Sequence, residues 1–266
     1  MSKVTQVSRM ATFIILLIFG ASSAAQQVAP SGAVTHSPQG TTDPPRQATA
    51  DPPRYLKAFV IDDRLSALRR EPRIQSEVIR RIRLAQPVFI IGSSKGKIGE
   101  PRFYRVAITR RTRGWILASA IAALNRTGQD QRIMSLIEHS SDGVDKITLC
   151  RLIISHFSQS RLVPRAMLLL GEEAERAAKT LSQRTRRRLS EVRTADANLR
   201  DYFLSDAGLD RYSRLGIAFD FNESSGEFSY DGKAYREIIR RFPNRDEAKL
   251  ARQHLDLATR KTAQAR

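Results

Sequence analysis

The stretch RFYRVAITRRTRGWIL, residues 102–117, decides how the middle of this chain folds. Phe103, Arg105 and Ala107 alternate with Tyr104, Val106 and Ile108, a period of two that belongs to a strand and not to a helix. An arginine-rich turn, Arg110-Arg111-x-Arg113, leads into Gly114-Trp115-Ile116-Leu117, a second short strand. Two more apolar runs lie upstream, Ala58-Phe59-Val60-Ile61 and Val88-Phe89-Ile90-Ile91, the latter bounded by Pro87 and Gly92. Short strands separated by turn residues predict a small antiparallel barrel or sandwich over residues 54–124. Within it, Trp115 beside Ile116 and Leu117 is expected to be buried against the strand at 88–91.

The same segment carries most of the charge. The 266 residues have a formal net charge of +18, and residues 54–124 hold 16 basic side chains against 5 acidic ones. An electrostatic face of this sign favours anionic ligands. A chain with 41% hydrophobic and 27% charged residues can bury a core, so disorder is not its general condition. A single cysteine excludes an internal disulfide framework, and with four histidines it leaves little for a structural zinc site.

Upstream of the strands, Lys3 and Arg9 precede the apolar run MATFIILLIF at 10–19, followed by Gly20 and the small residues ASSAA at 21–25. The run is too short for a membrane helix, which needs about 20 apolar residues, and reads as a signal peptide over 1–24, an uncleaved anchor being the alternative. Residues 25–53, with two Asp-Pro-Pro triplets, read as a disordered Pro-rich linker. The expected location is periplasmic or extracellular, without a membrane span once the signal is removed.

Five pieces then fall in a meaningful order: Leu65-x-x-Leu68-Arg69-x-x-Pro72, Val78-Ile79-x-x-Ile82, Val88-x-Ile90-Ile91-Gly92, Phe103-Tyr104-Arg105-Val106 and Gly114-Trp115-Ile116. This order resembles that of bacterial SH3-like (SH3b) domains over residues 55–123. The chain departs from them in having Phe103 where tryptophan is common, in its arginine-rich turns, and in an insertion at 93–101. The resemblance implies a barrel that holds cell-wall peptides or other envelope ligands without catalysis, on an aromatic surface between loops. Tyr104 is then the candidate groove residue, with Arg69 and Arg113 as flanking cations able to hold carboxylates bidentately. The plainer alternatives are barrel core for Tyr104 and Trp115 and a solvated face for the arginines.

After Asn125 a helical period takes over. Ile133, Leu136 and Ile137 share one face of a first helix; Ile147, Cys150, Leu152, Ile153, Ile154 and Phe157 line a second; Pro164 opens a third. Further helices are expected at 184–192 and 198–204. Ile153-Ile154-x-x-Phe157 followed by Ala166 is matched by Ile238-Ile239-x-x-Phe242 followed by Ala251. The pair resembles the turn between paired helices in tetratricopeptide-type repeats, so residues 125–266 are expected to form an all-α, helical-hairpin domain of that character. Between the copies, Ile217–Phe221 and Glu227–Tyr230 alternate as a hairpin or, in the preferred reading, as a loop whose aromatics plug the helical core.

No catalytic constellation emerges. Cys150 sits in an apolar helical stretch with His156 six positions on, off its helical face, and is expected to be a buried, inert thiol. Glu172, Glu173 and Glu175 read as a solvated helix surface facing Arg176 and Lys179. The cluster Arg184-Thr-Arg186-Arg187-Arg188 has no interleaved aromatics for stacking bases, so a nucleic-acid partner is disfavoured. The expectation is an exported, non-catalytic binding protein without metal or cofactor. Its barrel would hold a peptidoglycan-type or other anionic envelope ligand, and its helical part would dock a protein partner. The alternatives are a purely structural envelope scaffold and a cell-wall hydrolase with an unrecognised site.

Overall fold

The computed structural model describes residues 55–94, 100–189 and 207–264. The signal peptide expected over 1–24, the linker over 25–53, the helix over 198–204 and most of the 93–101 insertion lie outside them.

The alternating segments form seven strands: β1 (Leu56–Val60), β2 (Ala67–Arg69), β3 (Val78–Arg81), β4 (Pro87–Ser93), β5 (Phe103–Ala107), β6 (Arg113–Leu117) and β7 (Ile121–Ala123). A 3-10 turn, Ala118–Ala120, joins the last two. All pairings are antiparallel, in the order β3-β2-β6-β5-β4-β1-β7. The closed barrel expected from the strand spacing is corrected here: β3 and β7 end the order and do not pair with each other. Closure requires a ladder between the two edges. One edge is instead occupied by helix, and the other stands in solvent.

One face of this sheet is a core of its own, in which Val60, Leu68, Val88, Tyr104, Val106 and Ile116 pack together. The even-numbered residues of β5 supply it, as the alternation requires. Phe59 and Ile61, of opposite parity to Val60, point elsewhere. With Ala122 they join Ile133, Ile137, Ile147, Cys150, Ile153 and Val163 in a second core. The boundary expected between 124 and 125 therefore separates strands from helices but not their interiors. Phe59 also stacks on His156, ring centroids 4.2 Å apart.

The helices are α1 (Gln129–His139), α2 (Gly143–His156), α3 (Val163–Leu189), α4 (Ala207–Arg214), α5 (Lys233–Arg241) and α6 (Asp246–Gln264). Asp142 caps α2, its carboxylate accepting from Val144 N at 2.7 Å and Asp145 N at 3.1 Å. The helix expected separately at 184–192 is, as far as Leu189, the continuation of α3. The repeated Ile-Ile-x-x-Phe segments form the same turn twice. Phe157 N donates to Ile153 O at 2.9 Å and Phe242 N to Ile238 O at 2.8 Å. Both phenylalanines leave helical geometry alike, with φ/ψ of −121/45 and −134/50 degrees. The next helix is entered through Val163 N to Ser160 O in one copy and Ala248 N to Arg245 O in the other, each 85 positions on. Ala166 and Ala251 are fully buried where the partner helices approach.

The helical part is not all-α. Strands β8 (Phe219–Asn222) and β9 (Glu227–Tyr230) form a hairpin, where an aromatic plug was the preferred expectation. An isolated two-stranded ribbon is marginal, but this one lies along α3. Phe228 packs with Ala178, Leu181 and Leu209, and its N–H donates to the buried Ser182 hydroxyl at 2.8 Å. Where α3 meets α5, Gly171 lets the Tyr235 ring approach: a Cβ at 171 would lie 2.5 Å from its Cε1.

Candidate functional site: a cationic cleft beside the last strand

Tyr104, Arg69 and Arg113 do not meet. Arg69 lies opposite Trp115, and Trp115 opposite Arg105, so these side chains share one sheet face with Arg113. Tyr104 pairs with Ile116 on the next rung and points to the other face. Arg69 is turned back on its own hairpin, donating to Ser76 O at 2.8 Å. Arg113 is exposed at the start of β6. The bidentate clamp expected of this trio is thus corrected: alternation puts its aromatic and its cations on opposite faces. Trp115 is corrected too. It is half-buried, and β5 separates its strand from β4.

Tyr104 has other cationic neighbours. Only 6% exposed, its ring belongs to the sheet core while its hydroxyl reaches a cleft of about 280 Å³. Arg102, Arg126, Gln129 and Arg132 line that cleft along with Ser119, and no carboxylate does. Arg126 donates to the Tyr104 hydroxyl, its guanidinium 5.1 Å from the ring centroid. Arg132, on α1, donates to Ile121 O at 3.1 Å and to Ser119 O, and thereby braces the helix against β7. Desolvation pulls the Arg132 pKa down, which marks a cation whose hydration is partly stripped. Such a site has chemistry for an anion: guanidinium forks facing space that a carboxylate can enter.

Sequence reasoning reached Tyr104 here but missed Arg102, Arg126 and Arg132. Arg126 contacts a residue 22 positions away, across the junction where alternation gives way to helix, and no local pattern signals that pairing.

A second cleft, about 230 Å³, is lined by Asp62, Asp63, Asp142, Asp145 and His139. Two of its four carboxylates are engaged by the fold: Asp62 binds Arg64 at 3.0 Å and Asp142 caps α2. Burial, and then the charge of Asp142, raises the pKa of Asp145. Among the described residues no cluster of histidine, cysteine and carboxylate side chains is arranged to hold a metal ion.

Cys150 is fully buried, and desolvation pushes its thiol up to about 12. A thiol so placed is not ionised near neutrality. Glu173 departs from the solvated surface expected of it: only 6% exposed, it binds Lys146 of α2 at 3.0 Å and also Arg176. Glu175 meets His254 of α6 at 3.0 Å. In the arginine cluster, Arg186 pairs with Glu227 of β9.

No protein-family model, curated protein or solved structure matches the chain.

Proposed function

We propose that this chain is a non-catalytic binding protein of the cell envelope. Its SH3-like sheet holds a carboxylate-bearing, peptidoglycan-type ligand, and its tetratricopeptide-like hairpins dock a protein partner. The observation that carries the reading is the cleft lined by Arg102, Arg126 and Arg132 beside the Tyr104 hydroxyl, which Arg126 contacts, with no acidic residue in the lining. Three further features support it. The Phe-Tyr-Arg-Val and Gly-Trp-Ile motifs of the SH3-like resemblance lie on the adjacent strands β5 and β6. The repeated helix turn has the same hydrogen bonds in both copies. The N-terminal leader favours export.

Each guanidinium that meets a carboxylate through a fork contributes roughly 1.5–3 kcal/mol of charge-assisted hydrogen bonding. The test is retention of the full chain on insoluble, purified cell wall at moderate salt. The expected result is retention that falls about tenfold or more in an Arg102→Gln/Arg126→Gln variant, a loss on the scale of one such bond. These two side chains are exposed, so the variant should keep its fold. No retention of the wild type would favour the scaffold reading, and retention unchanged by the double substitution would remove the cleft from the proposal.

A further inference from the structure

The β2–β3 hairpin stands apart from the cleft and has no role in it. β3 ends the strand order, and all four of its residues are exposed on both faces. Three aliphatic side chains crowd this hairpin in the open: Ile74 is 53% exposed, Val78 44% and Ile79 42%. Arginines surround them. Arg70 and Arg73 are answered within the hairpin by Glu77 at 2.6 Å and Glu71 at 3.7 Å. Arg80, Arg81 and Arg83 have no acidic partner among the described residues.

An edge strand offers backbone N–H and C=O groups to any extended chain that can lie beside it. Charged side chains on an edge often guard against such pairing. A guard, however, has no use for exposed isoleucine and valine, which cost solubility. Aliphatic side chains that grip and unanswered charges of one sign describe an edge that selects its partner. A second copy of this chain is the wrong occupant. Antiparallel pairing of β3 with β3 would set Arg80 of each copy diagonal to Arg81 of the other with no acidic residue between them, and like charges gathered across strands are destabilising. A segment in which two acidic residues are followed by two aliphatic ones reverses that sign and, laid antiparallel, sets an acid against each arginine and an aliphatic against each aliphatic on both faces of β3.

We propose that β3 is a docking edge for an extended acidic segment of another protein, which adds to the sheet as its next strand. Backbone hydrogen bonds supply the affinity. Arg80, Arg81 and Arg83 select carboxylates, and Ile74, Val78 and Ile79 bury the segment's aliphatic side chains.

The probe is a fluorescein-labelled heptapeptide with two glutamates followed by two valines at its centre and threonines flanking them, titrated with the full chain and followed by fluorescence anisotropy. Binding is expected, weakened about tenfold or more by Arg80→Glu/Arg81→Glu, a change of ~1.4 kcal/mol or more. Both side chains are exposed, so circular dichroism should show an unchanged fold. N-methylation of alternate backbone nitrogens of the peptide should abolish binding, which a purely electrostatic attraction would survive. Arg102→Gln/Arg126→Gln should leave it intact, which separates this edge from the cleft. Absence of binding at millimolar peptide, equal binding of the N-methylated peptide, or loss of binding in the cleft variant alone would each overturn the proposal. So would a concentration-dependent dimer that Arg80→Glu/Arg81→Glu strengthens.

Discussion

The two edges of one sheet have opposite fates. At β7 the strand is buried throughout, α1 is laid against it, and Arg132 spends its donors on the carbonyls of Ser119 and Ile121. At β3 every residue is exposed and the strand's outer side meets no other element among the described residues. Composition accounts for the difference. β7 is Ile-Ala-Ala, small and apolar enough for a helix to approach closely; β3 is Val-Ile-Arg-Arg, whose long cations would lose hydration under any cover. A sheet can merge with its neighbour at one end and remain open to partners at the other.

The largest test of that contrast is at Phe59. It is 4% exposed, lies within the helical core and stacks on His156. Phe59→Ala should cost about 3–5 kcal/mol. Because that core is shared, strands and helices should melt together, with far-ultraviolet ellipticity and Trp115 emission following one curve. Two separated transitions would break the comparison and restore independent domains.

Arg132→Ala comes next. It strips the carbonyls of the buried Ile121 and the exposed Ser119 of a donor and should cost about 1–3 kcal/mol in chemical denaturation. Amide exchange should quicken first in α1 and β7, and unchanged protection there would show that the brace is idle.

A smaller effect concerns pH. Desolvation, reinforced by Lys57, lowers the pKa of His156 in the folded chain. The unfolded chain therefore binds the proton more readily, and the stability that depends on neutral His156 is present above its ordinary pKa of about 6.5 and declines as pH falls below it. His156→Asn should flatten the fall in melting temperature between neutrality and mild acid. An identical slope in both proteins would exclude the linkage.

At the open edge the expected effect on stability is close to nil. Ile79→Ser should shift it by no more than about 0.5 kcal/mol, as for other solvated positions. A loss above 1.5 kcal/mol would mean that β3 is covered in solution.

Much of this is legible in the sequence. Alternation through residues 103–108 puts Tyr104 and Val106 on one face, which the structure shows to be a core, and the Ile-Ile-x-x-Phe repeat foretells two turns that match bond for bond. Both signals are local, reporting backbone geometry over a few residues. What covers a strand is not local. Phe59 and Ile61 read as one face of a barrel strand, and nothing in their neighbours says that helices 70 or more positions away supply the other wall. The same limit hid Arg126 behind Tyr104 and put Trp115 against the wrong strand. The ligand trio fails for a related reason. Arg69 and Arg113 share a face of the sheet that Tyr104 does not, and that parity depends on a pairing between distant strands.

The approach of Tyr235 to Gly171 has a consequence for descent. An alanine at 171 would place its Cβ 2.5 Å from Cε1 and 2.7 Å from Cζ of that ring, too close for either atom to stay. The Tyr235 ring is buried and stacks on His254, so it stays for its shape. The two positions are therefore heritable only as a pair. A lineage that gains a side chain at 171 must first have shrunk 235, and the order of those two changes is set by which intermediate still folds. Tyr235→Leu leaves a void and Gly171→Ala a collision. The void is the passable step when the neighbours can collapse into it, and so the aromatic should be lost before the glycine.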